Sequence, residues 1–445
     1  MRMMFRFFAV IVAGFALGAC SGSGGSSIPN SPIQQPSLNG GSGGSSMLDA
    51  AVRQPNLGRN YKAACDVKRP GDQVVCFALV RTDVGGAPGV NALAVSPDTT
   101  VEGYGPKQLR AAYDLPSTTK GSGQTVALIE SGNYPTAGAD LTTYRSHYGL
   151  TACTVKNGCF SKVGQTGSST SLPAENASWA EETALDMDMV SAVCPKCHIL
   201  IVEANSSTDA NLGAAANEAA TLGATEISNS YGGGEFAASD SNYDHSGIVT
   251  LASAGDQGYG EGSTQPCSFA SVVCTGGTSL QPASNARGYT EVVWNDLSFG
   301  EGASGSGCSS LVAKPSWQTD TGCTKRSQSD VSFDADPENG VAVYDSTPYE
   351  GYKGWLEFGG TSVASPALAA VYALAGNATS LGPDAAQTIW ENAGAGLFSV
   401  TSGNNLSSGE SCGSAYPYIC TAGTGADGVY SGPGGWGSPD GTSDF

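Results

Sequence analysis

Histidine is scarce in this sequence: His147, His198 and His245 are the only three in 445 residues, and none stands in a His-Gly-Thr setting. A serine nucleophile that relied on imidazole would have to recruit one of them. His198 opens one predicted strand and His245 precedes another, so both read as structural. Basic residues are also few, 20 Lys and Arg against 40 Asp and Glu, for a formal charge of −20. Such a surface repels a polyanion and excludes nucleic acid as a partner. It suits acidic surroundings, where many carboxylates are neutral and the net charge falls. Beyond the N-terminus no segment is apolar enough to cross a bilayer. Charged residues make up 13% of the chain while glycine fills 62 positions, a profile of loop-rich exported proteins rather than helical bundles.

What is present begins with an export signal. Arg2 and Arg6 supply a short basic region, and Phe5 to Leu17 is almost wholly apolar but short for a stable span. Leu17-Gly18-Ala19-Cys20 resembles the bacterial lipobox, in which cleavage leaves the cysteine as an acylated first residue. The alternative is an ordinary signal peptide followed by a chance cysteine. Residues 1–19 are therefore read as the signal, and residues 20–46, rich in Gly, Ser, Pro and Asn, as a lipidated cysteine and disordered tether. The expected location is the bacterial cell envelope, or the medium if the chain is released. Without Cys20, twelve of the thirteen cysteines remain. They fall in close pairs, Cys65/Cys76, Cys153/Cys159, Cys194/Cys197, Cys267/Cys274, Cys308/Cys323 and Cys412/Cys420. An even number in an exported chain reads as disulfides, with neighbour pairing the simplest connectivity although sequence does not prove it. A metal site at Cys194-Pro195-Lys196-Cys197-His198 would need a second ligand pair, and none stands out.

Residues 47–102 read as a short lead-in, with one probable disulfide and a β-like run from Val74 to Val80. From 103 to 445 the texture changes. Apolar runs at 124–130, 198–203, 225–230 and 248–253 alternate with helical stretches near 178–192 and 208–222. Continuous apolar strands separated by helices predict an α/β fold with a mainly parallel central sheet covered on both faces. In such folds chemistry gathers at the carboxyl ends of the strands.

Three motifs carry candidate chemistry. Gly359-Gly360-Thr361-Ser362 precedes an Ala-rich helix, which places Ser362 at a helix N-terminus where backbone N–H groups favour a developing anion. The bland alternative is a capping serine. Ser178 and Glu181 suggest a capping box, after which Glu182 and Asp186 stand one turn apart on one helix face. Two carboxylates so placed repel, so they either share a proton in a site or form a solvated acidic face. Asp256, in Ser253-Ala254-Gly255-Asp256-Gln257-Gly258, follows a predicted strand and either shapes a turn or projects into the cleft. Two motifs are set aside. Gly40-Gly41-Ser42-Gly43-Gly44 lacks the strand and helix of a nucleophile elbow, and Asp320-Thr321-Gly322 lacks a second copy.

Taken in order, these motifs resemble the sedolisin family of serine-carboxyl peptidases, from Tyr104-Gly105-Pro106 to Gly435-Trp436-Gly437-Ser438-Pro439. The resemblance implies a subtilisin-like fold and an endopeptidase acting at acidic pH on protein or peptide substrates. It also implies Ser362 as nucleophile, Glu182 as base, Asp186 as its partner and Asp256 in the oxyanion hole. Two departures are visible. The family's long pro-domain is matched here by only a short lead-in. Its calcium-binding aspartates appear as Ser399 and Ser431, weak donors for Ca²⁺, so no cofactor is expected. A monomer whose only membrane contact is the lipid at Cys20 follows. The competing expectation is a lipid-anchored binding protein that kept the fold and lost turnover.

Overall fold

Valine, isoleucine and leucine fill the runs 125–131 and 198–204, and residues buried on both faces favour the centre of a parallel sheet. The computed structural model places them there. It describes residues 60–65, 74–84, 101, 103–394, 396–425 and 427–445. The expected signal 1–19, Cys20, the tether 20–46 and the remainder of the 47–102 lead-in lie outside the described residues. Eight strands form the main sheet. In spatial order they are Tyr289–Val293, Val272–Pro282, Val249–Ser253, Glu226–Asn229, Thr125–Ser131, His198–Ala204 and Phe160–Gly164, with Val331–Asp334 also paired to Val272–Pro282. Every pairing is parallel except that of Tyr289–Val293. Helices cover both faces, as the alternation of strands and helices predicts. The six cysteine pairs are all bonded as neighbours.

Two helices position the chemistry, Ala177–Val193 and Thr361–Ala375, packed on one another. The second is lined with alanines at 364, 367, 369, 370 and 373, all buried, so its backbone approaches sheet and neighbouring helix closely. The first differs from expectation. Its N-cap is Asn176 rather than Ser178, whose hydroxyl lies in the first turn and donates to Asn176 Oδ1 at 2.9 Å. Glu181 does not reach back to close a capping box, because Lys62 Nζ holds it at 2.6 Å. Nor is the helix amphipathic: every residue from Ser178 to Val193 is buried.

The lead-in is woven into this body. Tyr61–Ala63 pairs antiparallel with Leu79–Arg81, which in turn pairs with Tyr352–Gly359. Val75–Cys76 pairs with Tyr231–Gly234 instead. The expected β-run from Val74 to Val80 is thus two short strands in two sheets, with Phe77 and Ala78 between them.

Candidate active site

Each site residue stands at the end of an element, where the regular hydrogen-bond pattern gives out. Gly360 caps the Thr361–Ala375 helix at φ +92°, a conformation open to glycine. The helix therefore starts three residues before the Ala-rich stretch, and Pro366 lies inside it. The missing Pro366 N–H is the one that would have bonded the Ser362 carbonyl. That carbonyl meets the Ser230 hydroxyl at 3.5 Å instead. Ser362 is fully buried, its Oγ donating to Ser230 O at 3.0 Å and accepting Phe77 N–H at 3.1 Å.

Glu182 and Asp186 face the same point from the neighbouring helix. Ser362 and Asp186 both lie near enough to Glu182 to shift its carboxyl. Neither Glu182 oxygen makes a hydrogen bond among the described residues, because Ser362 Oγ donates to Ser230 O. The Ser230 hydroxyl reaches both Asp186 oxygens at 2.9 and 2.8 Å. Burial pushes the Asp186 carboxyl up to about 8, against the pull of the Ser230 hydroxyl and of the neighbouring Glu130 and Glu182 carboxyls. Burial, then the Asp186 charge, raises Glu182 as well. Low-dielectric surroundings disfavour the charged form, and adjacent carboxylates cannot all ionise together.

Asp256 follows the Val249–Ser253 strand, across Gly255, whose φ of +110° and contact with the Glu261 carboxylate leave no room for a side chain. Its Oδ1 accepts both the N–H and the hydroxyl of Thr361 at 2.8 Å. Its Oδ2 is buried and takes no hydrogen bond among the described residues. Burial raises this carboxyl to about 7 although the Thr361 bonds favour its anion. It is therefore protonated in acid. Oδ2 lies 2.6 Å from where a Gly360 Cβ would stand, a spot that the Phe77 carbonyl oxygen also adjoins. All four expected residues, Ser362, Glu182, Asp186 and Asp256, thus lie in one buried cluster.

Sequence reasoning gave two participants no catalytic role. Glu130, the last carboxylate of the central Thr125–Ser131 strand, is buried beside Asp186 and Glu182; burial and then their charges raise it. The signal was available: a charge ending an apolar run marks the carboxyl end of a strand. Ser230 is the second. Its hydroxyl serves Asp186 and its carbonyl serves Ser362. The histidines stand elsewhere. His147 packs on Trp355, His245 meets Asn217 at 2.9 Å, and His198 is exposed. Asp320 is held by Lys314 at 2.8 Å and accepts the Tyr418 hydroxyl.

The C-terminal loops offer poor ligands for calcium. Ser399 is exposed, and the Ser431 hydroxyl takes the Gly434 N–H at 3.2 Å. The carboxylate of Asp330, whose backbone lies against these loops, is already taken by Arg326 at 2.5 Å, Trp390 Nε1 at 2.7 Å and Cys274 N–H at 2.8 Å. A hard cation needs anionic oxygens free to bind it, so this donor set does not fit the ion.

No family model matches the chain. It is 30% identical over 380 residues to sedolisin of Pseudomonas sp. (strain 101), an alignment spanning 77% of this chain and 60% of that protein. It is 30% identical over 300 residues to kumamolisin of Bacillus sp. (strain MN-32), spanning 61% of this chain and 51% of that protein. The chain thus spans between half and two thirds of these relatives' lengths. Among solved structures, Pseudomonas sedolisin, a serine-carboxyl proteinase complexed with two molecules of pseudo-iodotyrostatin, matches with a TM-score of 0.62 at 27% identity. That match covers 77% of this chain and 96% of the solved one.

Proposed function

Because this chain belongs to the sedolisin family, we propose that it is a serine-carboxyl endopeptidase that hydrolyses protein or peptide substrates in acid. The observation supporting this most is the convergence of Ser362, Glu182, Asp186 and Asp256, from three separate stretches of sequence, in one buried cluster. Ser362 Oγ attacks the scissile carbonyl carbon and its proton passes to Glu182. The Ser230 hydroxyl on both Asp186 oxygens favours the anion there, so Glu182 hands its own proton inward as it takes the new one. Burial and the charges of Asp186 and Glu182 favour the protonated form of Glu130, so it adds a third buried carboxyl to the group without adding charge. The proton returns to the leaving amine, and water then hydrolyses the acyl-enzyme. Protonated Asp256 and the Ser362 N–H hold the oxyanion. Release of peptides from an unfolded protein at about pH 4, lost on replacing Ser362, tests this reading.

No calcium ion enters this proposal. Addition of EGTA is expected to leave the melting temperature unchanged, and a large upward shift with micromolar Ca²⁺ would show that other oxygens bind the ion. We also propose export with Cys20 acylated. None of the described helices is long and apolar enough to cross a membrane, so attachment would rest on the lipid. Intact mass of the envelope-extracted protein should carry the added acyl chains and lose them in Cys20→Ser; an unmodified mass in the parent would point to ordinary cleavage.

A further inference from the structure

The cleft beside Ser362 is filled by the chain itself. Phe77 N–H is shared between Ser230 O at 3.2 Å and Ser362 Oγ at 3.1 Å, and Phe77 O accepts the Ser362 N–H at 3.0 Å. On one side of the Phe77–Ala78 bond, Val75 and Cys76 lie in register with Gly232 and Tyr231. On the other, Leu79 and Val80 pair with Gly359 and Phe358. An extended strand bound on both sides of one peptide bond, its acyl carbonyl on a helix N-terminal N–H, lies as a substrate would. The Phe77 ring is buried against Gly232, where a Cβ would come within 2.6 Å of the ring.

What separates this strand from a passing substrate is that both of its halves are tied to one hairpin. Cys76, next to Phe77, is bonded to Cys65. The Tyr61–Ala63 strand just before Cys65 pairs with Leu79–Arg81, beyond Ala78. Cleavage between Phe77 and Ala78 would therefore leave the two new ends held by the disulfide and the ladder. Both sulfurs and a Glu182 oxygen lie within 4.8 Å of one another, so the disulfide also covers the base.

We propose that the described residues 60–65 and 74–81 form a disulfide-clamped inhibitor of substrate type built into the chain, with Phe77–Ala78 the bond presented to Ser362. This rests on the peptidase reading of Ser362. It assigns the seat on Gly232 to a large apolar side chain on the acyl side of the cut. Attack on the Phe77 carbonyl carbon breaks its bond to the Ala78 nitrogen, which takes the Ser362 proton, and water frees Phe77 as a carboxylic acid. With both ends clamped, the Ala78 amine stays in place to re-form the bond, and the cleft remains occupied.

Binding without turnover separates this inference from the peptidase reading. In a Ser362→Ala chain, a fluorescent octapeptide of sequence 74–81, with serine for Cys76, should bind at least about tenfold more weakly than to the same chain carrying Cys65→Ser, Cys76→Ser and Phe77→Arg. Equal affinity, read by anisotropy, would overturn the inhibitor. If the triple change unfolds the protein, Phe77→Arg alone makes the same comparison with the disulfide intact. With Ser362 present, the opened variant should cleave added peptide at least about tenfold faster than the parent, and equal rates would overturn the inhibitor. A binding difference with no cleavage by either chain would leave the occupied cleft standing and sink the peptidase.

Discussion

Ser362→Ala is expected to abolish hydrolysis of an unfolded protein at about pH 4, lowering turnover by about 10⁴–10⁶-fold, the scale on which nucleophile removal acts in serine peptidases. The fold should barely register the change. The hydroxyl accepts Phe77 N–H and donates to Ser230 O, but those two groups also bond one another at 3.2 Å. Neither is orphaned by the loss, so the stability cost should stay near about 1 kcal/mol. Ser365 supplies the control. It lies on the same helix, buried, and hydrogen-bonds Ser228 at 2.8 Å rather than the carboxyl group cluster. Ser365→Ala should therefore retain turnover. Peptide release measured beside a melting curve checks both variants. Activity surviving in Ser362→Ala would remove the nucleophile from the scheme, whatever the geometry around it.

The sheet was legible because its strands are continuous apolar runs, and burial on both faces leaves no polar alternation to confuse the period. The runs at 125–131 and 198–204 needed nothing beyond side-chain type. The motifs at Ser362, Glu182 and Asp256 were legible for another reason: each breaks a local rule. Paired acids one turn apart weaken a solvated helix, and Gly-Gly before an alanine helix marks a close approach that a side chain would block, here to Pro337 and Phe77. Ser230 was harder to see. Its task is performed by a carbonyl and a hydroxyl at the end of a strand, which any serine offers, and only the neighbouring helix gives it meaning. The lead-in was hidden more deeply. Nothing in Val74-Val75-Cys76-Phe77-Ala78-Leu79-Val80 distinguishes a strand that completes a sheet from one that lies in a cleft. That distinction lives in the pairing of Val75 with Gly232 and of Leu79 with Gly359, both long-range contacts. The capping box failed similarly, because Lys62, more than a hundred residues away, captured Glu181.

The pH dependence should separate Glu182 from Asp256. The Glu182–Asp186 pair must hold one negative charge to accept the Ser362 proton, so activity falls as acid titrates that last charge. Burial lifts the Asp186 carboxyl to about 8 while Phe77 fills the cleft, and an acid window requires that opening the cleft to water and substrate bring it down. Asp256 must stay protonated to donate to the oxyanion, so activity also falls as pH rises through about 7, where burial has placed its carboxyl. The result is a bell confined to the acid side of neutrality, whose limbs belong to the coupled set. Asp256→Asn keeps a neutral donor at every pH. Because the amide donates less strongly than the carboxyl, it should slow turnover by up to about 10²–10³-fold, the bound set by complete loss of an oxyanion donor, and flatten the alkaline limb. Glu182→Gln cannot relay a proton and should be near-inactive throughout. Unfolding has to be held apart from these effects. Asp256, Glu226 and Glu261 have folded values of about 7, 8 and 8, above their ordinary 3.8, 4.5 and 4.5. The folded state then keeps protons that the unfolded chain releases, so stability is full below about 4 and declines as pH rises toward 8. Rates must be compared below each variant's melting temperature at every pH. An optimum at neutral pH or above, with Glu182→Gln still active, would overturn the carboxyl mechanism.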